Sequence, residues 1–239
     1  MSGGAETGFF GKLPALGDFV QRGLSRDFTA PWDAWLQRAL ATSRAQLGEQ
    51  WLDVYLTSPL WRFVLDDAAC GEGAWAGVMM PSVDKVGRYF PLTVAVALPN
   101  DSCPFEVMTG GEDWFVEVES LMLGALDAEE LDVDAFDARL QAVTPLAVRK
   151  SPRHRTARLS DGWRVDLPQG LHGAAPLASA LALAALPNAS LWFNSGTEHA
   201  QPLLMAYAGM PAPDGFVDLL LGGADSVAVD SDYAAVGGD

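Results

Sequence analysis

The sequence predicts an α/β fold in which helices cover both faces of one antiparallel or mixed sheet. Two patterns in the 239-residue chain carry this prediction. Three short runs rich in aromatic and branched residues lie between Leu60 and Leu98, joined by segments too short for crossover helices, so neighbouring strands must run mainly antiparallel. Further strand-like runs come only after a long helical middle, which leaves helices to pack on both sides of the strands. The 49% hydrophobic content and eight Trp suit a packed core, since an acidic disordered chain is poor in such residues.

Taken in order, the first helix is expected from Thr29 to Leu47. Thr29 can cap it, Pro31 suits a first turn and Asp33 favours the positive end of the dipole. Trp32, Trp35, Leu36, Ala39, Leu40 and Leu47 recur at helical spacing, and Gly48 is a stop. Gln50 to Leu56 continues helically until Ser58-Pro59, where proline imposes extended backbone on Ser58. Strands are expected at Leu60 to Leu65, at Ala74 to Met80 before Pro81, and at Pro91 to Leu98.

The middle of the chain reads as helix. Trp114, Phe115, Val118, Leu121, Met122, Ala125 and Leu126 form one stripe, and Phe136 and Leu140 mark a second helix from Val133 to Val143. A helix from Ala174 to Leu186, strands at Ser190 to Phe193 and Leu203 to Tyr207, and an apolar segment from Phe216 to Leu221 complete the pattern. No internal repeat or long linker interrupts it, so residues 1–221 are expected to form one domain. Residues 222–239 are small and acidic and are expected to be a mobile tail.

Charge narrows the function classes. Fifteen Lys and Arg against 31 Asp and Glu give −16, which disfavours nucleic-acid backbones and anionic membrane surfaces. The charge is segregated. Asp101 to Asp137 carries twelve acids and no Lys or Arg; Arg139 to Arg164 then carries seven bases, Arg139, Arg149, Lys150, Arg153, Arg155, Arg158 and Arg164, against one acid. The acidic stretch reads as solvated helix faces, with docking of a basic partner as the alternative. The stretch around Arg153, Arg155 and Arg158 reads as internal charge compensation, with phosphothreonine contact as the alternative. The N-terminal residues lack a basic and an apolar region, and Ala174 to Pro187 is too short to span a bilayer. A cytoplasmic protein without membrane insertion is expected.

No catalytic constellation stands out. His154, His172 and His199 lack metal-ligand spacing, and Cys70 and Cys103, 33 residues apart, suit buried filler rather than a redox pair. Gly8-Phe9-Phe10-Gly11-Lys12 has the wrong glycine spacing for a phosphate loop. The acid pairs Asp66-Asp67, Glu112-Asp113 and Glu129-Glu130 read as solvated. Ser82-Val83-Asp84-Lys85 fits the Ser-x-x-Lys pattern, in which a lysine one helical turn away activates serine, but its companion motifs are missing. No cofactor or metal is expected. A small hydrolase or ligand-sensing domain using Ser82 and Lys85 is the alternative to a binding protein.

Two dense clusters lie outside the periodic segments. Gly11-Lys12-Leu13-Pro14 with Gly17-Asp18-Phe19 is one, and Pro81 to Pro91 is the other. Each combines Gly, Pro, a carboxylate and a cation. They read either as turns held by local ion pairs such as Asp84 with Arg88, or as a groove in which Lys12, Asp18, Asp84, Lys85 and Arg88 meet a partner.

These stretches also carry a family resemblance. Gly8 to Pro14, Gly17-Asp18-Phe19, Trp32-Asp33-Ala34-Trp35-Leu36, Pro59-Leu60-Trp61-Arg62-Phe63 and Gly77 to Leu92 resemble the TagF (ImpM) family of accessory proteins of bacterial type VI secretion. The match runs in order over about residues 8–100, with Leu191-Trp192-Phe193 and Gly209-Met210-Pro211 resembling a more variable C-terminal part. The resemblance implies a three-layer α-β-α sandwich, here with a mixed, largely antiparallel sheet. It also implies a non-enzymatic, cytoplasmic, post-translational repressor of secretion. Such a protein would work beside a Ser/Thr kinase and phosphatase, with a forkhead-associated scaffold as its expected partner.

Overall fold

The computed structural model describes residues 6–99, 102–128, 130–148, 156–159, 162–165, 182, 184–196 and 202–222. Seven strands form the main sheet: β1 (Thr7–Gly11), β2 (Val20–Arg22), β3 (Trp61–Leu65), β4 (Ala74–Met80), β5 (Leu92–Leu98), β8 (Ala189–Asn194) and β9 (Leu203–Ala208), in the order β2-β1-β5-β4-β3-β8-β9. Every pair of neighbouring strands is antiparallel, and an isolated bridge from Ala189 to Gly209 is parallel. A separate hairpin joins β6 (Thr156–Leu159) to β7 (Gly162–Val165).

Strand periodicity sends alternate side chains to opposite faces, and both faces are apolar. Trp61, Phe63, Leu65, Trp75, Met79, Ala95 and Trp192 join one core with α1 (Arg26–Leu47), α2 (Trp51–Thr57) and α6 (Phe216–Leu221). Val64, Ala76, Val78, Met80, Val94, Val96 and Leu191 join the other with α4 (Glu112–Leu126) and α5 (Val133–Gln141). A short α3 (Pro104–Gly110) precedes α4 and adds Val107 to that core. Burial on both faces explains why β4 reads as an unbroken apolar run rather than as an alternating one.

Helix α1 starts three residues before the expected Thr29. Ser25 holds the extended N-cap position, and the Thr29 N–H donates to Ser25 O at 3.0 Å. Thr29 is therefore a buried residue of the core face, and Pro31 sits inside the helix rather than in its first turn. Pro31 has no N–H to give Asp27 O, and Gly71 closes on that carbonyl. Gly48 ends the helix with its N–H on Arg44 O, as expected, and Ser58 is extended.

The aromatic centre is built across the sheet. Trp32 stacks on Phe28 at 5.3 Å and on Trp192 at 5.9 Å, and its Nε1–H donates to the buried Thr93 hydroxyl at 3.0 Å. That hydrogen bond removes the cost of burying an indole N–H. The expected helix from Ala174 to Leu186 lies mostly outside the described residues; at its end, Leu186 N–H donates to Ala182 O at 2.9 Å. Of the expected tail, 222–239, Gly222 caps α6 with its N–H on Asp218 O, and residues 223–239 lie outside the described residues. No helix among the described residues is long and apolar enough to cross a membrane.

Candidate functional site

The two dense clusters of the sequence meet in space. The chain leaves β1 at Gly11 and runs through a loop, 12–19, into β2; it leaves β4 at Met80 and turns back at Asp84 to Gly87 before β5. The second segment is a small hairpin. Val83 bridges Tyr89, Asp84 N–H donates to Arg88 O at 3.0 Å, and Gly87 N–H donates to Asp84 O at 2.9 Å. Gly87, at φ 85, supplies the left-handed backbone that closes this turn.

Asp84 is the hub. Its carboxylate accepts from the Lys12 ammonium, from Arg88 Nε at 2.7 Å, and from the backbone N–H of Val86 at 3.1 Å and of Arg88 at 2.8 Å. Its side chain is fully buried, and that of Lys12 nearly so. Burial disfavours the ionised form, but the Lys12 and Arg88 hydrogen bonds outweigh it and hold the carboxyl well below the usual range. Arg88 also donates to Gly17 O, and Lys85 N–H donates to Leu16 O at 2.9 Å. The hairpin is thereby tied to the first loop.

Ser82 belongs to the same framework. Its hydroxyl donates to Lys12 O at 2.8 Å, while Tyr55 OH donates to Ser82 O at 2.9 Å and accepts from Ser82 N–H at 3.1 Å. Burial pushes the Tyr55 phenol up, opposed by its bond to Ser82 O. Ser82 is buried in the non-helical segment after β4, whereas Lys85 is exposed in the turn. The geometry needed by Ser-x-x-Lys chemistry, a serine at a helix start with the lysine one turn away, is not formed.

Of the residues expected to line a groove, Lys12 and Asp84 are therefore internal and support it. Asp18, Lys85 and Arg88 are exposed. Phe19 and Val86 stand beside them, 42% and 67% exposed. Phe19 is held in edge contacts with Phe10 at 4.6 Å and Phe90 at 5.2 Å, so a rigid aromatic faces solvent. The surface is made of two loops tied to each other. The crevice at the hairpin's base, lined by Tyr55, Pro59, Pro81 and Pro91, has about 10 Å³, room for one water.

Other charged residues are structural. Arg62, buried on β3, donates through Nε and Nη2 to Glu119 at 2.7 and 2.9 Å and through Nη1 to Glu112 at 2.7 Å, tying the sheet to α4. Burial lowers its proton affinity, and the two glutamates more than restore it. The acids of the middle are thus not all free in solvent: Glu112 and the largely covered Glu119 hold Arg62, and Asp134 and Asp137 pair with Arg22 at the surface; in the earlier pair Asp66-Asp67, Asp66 is buried. Sequence reasoning missed this because Arg62 sits in a central strand; a cation inside an apolar run is the signal that it must find carboxylates.

Arg153, Arg155 and the three histidines lie outside the described residues. Arg158 lies on β6, in register with Trp163 of β7. Among the described residues no group of three His, Cys, Asp or Glu could hold a metal ion.

A two-faced α/β sandwich carrying two loops locked together at one end of its sheet defines a class of domain with a fixed, exposed loop surface. The family model "TagF N-terminal domain, Type VI secretion system-associated" matches residues 8–143, more than half of the chain and both loops. The chain belongs to this family, and its association is with type VI secretion. Among solved structures it is similar to PA0076 from Pseudomonas aeruginosa PAO1, at 42% identity and a TM-score of 0.76, over 92% of this chain and 96% of that one. No curated protein matches it.

Proposed function

We propose that this protein is a non-enzymatic, cytoplasmic repressor of type VI secretion that acts post-translationally by binding a component of the phosphorylation-controlled assembly pathway. The forkhead-associated scaffold is the partner to test first, and the pathway's Ser/Thr kinase and phosphatase are its functional neighbours. The observation that carries this reading is the Lys12–Asp84–Arg88 node, which spends buried charge on fixing two loops so that Asp18, Phe19, Lys85, Val86 and Arg88 share one exposed surface. Aromatic and arginine side chains held rigid at a surface are the usual anchors of protein interfaces. Family membership supports the secretion context.

The test is complementation of a strain lacking this protein. Wild type is expected to restore repression, read as loss of secreted substrates from the supernatant and loss of competitor killing. The exposed pair Phe19→Ser with Val86→Asp is expected to fold normally, to lose repression and to lose co-purification of the scaffold. Full repression by that double variant would overturn the assignment of the surface.

A further inference from the structure

The double loop also indicates what kind of partner it fits. Two cations, Lys12 and Arg88, share the single carboxylate of Asp84, and Lys85 stands exposed at the turn beside them. Even with Asp18 counted, this corner carries an excess of positive charge on a chain whose net charge is −16. Arg88 is the residue placed to use it. A guanidinium has five N–H donors in a planar fork. Here Nε–H is spent on Asp84 and one Nη2–H on Gly17 O, and no partner among the described residues takes the Nη1 edge. The side chain is 59% exposed yet fixed at two points, so it presents an oriented donor edge outward.

Two exposed apolar residues belong to the same pair of loops: Phe19, whose ring packs against Phe10 and Phe90, and Val86, in the turn two residues before Arg88. A preorganised arginine on the same tied loops as a rigid aromatic matches a ligand that offers a carboxylate next to bulky apolar side chains.

We propose that the Phe19–Val86–Arg88 surface docks a partner segment in which an Asp or Glu side chain, flanked by bulky apolar residues, pairs with the free edge of Arg88 and with Lys85. The proposal rests on the functional reading above and names the chemistry of its partner. A carboxylate is favoured over a phosphate because Lys12, Lys85 and Arg88 against Asp18 and Asp84 leave one positive charge, which balances a carboxylate but not a phosphate dianion.

The experiment measures binding of the full-length chain to the purified forkhead-associated scaffold, with Lys85→Glu, Arg88→Glu and Val86→Asp as variants. The Lys85 side chain makes no hydrogen bond or ion pair among the described residues, so its variant is expected to fold even if Arg88→Glu does not. Lys85→Glu and Arg88→Glu are each expected to weaken binding about tenfold or more. A single Asp or Glu to Arg change in the scaffold is expected to restore binding to the Arg88→Glu chain but not to the Val86→Asp chain. Wild-type affinity in both charge variants, with loss in Val86→Asp, would overturn the carboxylate assignment and leave the functional reading standing. Wild-type affinity in all three would overturn the reading itself. Loss of binding after phosphatase treatment of the scaffold would overturn the carboxylate in favour of a phosphate.

Discussion

Lys12 and Asp84 stand 72 residues apart in the chain, yet their ammonium and carboxylate meet beneath the surface and tie the loop after β1 to the hairpin after β4. Removing one partner of a buried pair leaves the other charge under-compensated, which costs more than the pair itself contributes. Lys12→Met keeps most of the apolar stem, one atom shorter, and removes the ammonium with its charge and donors. It is expected to lower the melting temperature by roughly 5 °C, and Arg88→Met, whose guanidinium is largely in water, by less. Calorimetry on the three chains checks the order. An equal effect for the two would mean that burial of the Lys12 end does not matter.

The same node sets a pH dependence. Asp84 is buried, which alone would favour its neutral form, but its hydrogen bonds from Lys12 and Arg88 hold the folded-state pKa below the unfolded value of about 3.9. Its contribution to stability is therefore fully present above about pH 4 and is lost as pH falls through the lower folded value. Denaturant titrations from pH 7 to pH 3 are expected to show a constant gap between wild type and Asp84→Asn that narrows only below about pH 4. A gap that closes near pH 6 would contradict the assignment.

How much of this could be read from residues alone depended on distance along the chain. Strands β3, β4 and β5 were legible because their runs are apolar on both faces, and Ala74 to Met80 was placed to the residue. Strand β1 was not, since Gly8 and Gly11 interrupt its two phenylalanines, and β2 has only three residues. At the candidate site, the two clusters holding Lys12, Asp18, Asp84, Lys85 and Arg88 do meet in space, and the local pair of Asp84 with Arg88 forms as expected. The division of labour was hidden. Nothing local says that Lys12 and Asp84 go inside while Phe19 and Val86 stay out, because that depends on how β1 and β5 pair.

Arg62 offers a sharper energetic test. Its guanidinium is 2% exposed as a residue and is satisfied by Glu119, whose side chain is 21% exposed, and by the more open Glu112. Arg62→Met leaves Glu119 mostly buried without its partner and is expected to cost about 3 kcal/mol. The double variant Arg62→Met with Glu119→Met removes both charges from the interface between β3 and α4. It is expected to regain most of that loss, and a double-mutant cycle by urea denaturation reads the coupling. Additive losses would show that the two residues do not act as a pair.

Cys70 is buried at 3% exposure, and burial pushes its thiol up to about 12. At pH 8 its thiolate fraction is on the order of a thousandfold below that of an ordinary cysteine, so its alkylation should be slowed at least as much. Iodoacetamide labelling followed by mass spectrometry is expected to leave Cys70 unmodified in the native chain and to modify it fully in denaturant. Labelling at comparable rates in both states would mean that the site opens readily.

Gly71 shows how a helix with an internal proline is accommodated. Pro31 cannot donate to Asp27 O, and Gly71, at φ 74, lies so near that carbonyl that an added Cβ would stand 2.1 Å from the oxygen and 2.9 Å from Pro31 Cγ. Both the left-handed backbone and the contact exclude a side chain, and the obstructing atom is helix backbone that cannot swing aside. Gly71→Ala is expected to destabilise the fold by about 3 kcal/mol. Gly17→Ala is the matched control, because a Cβ there meets nothing within 4 Å, and it is expected to change stability by under about 0.5 kcal/mol. If the two variants unfold at the same denaturant concentration, α1 does not depend on the close approach of Gly71.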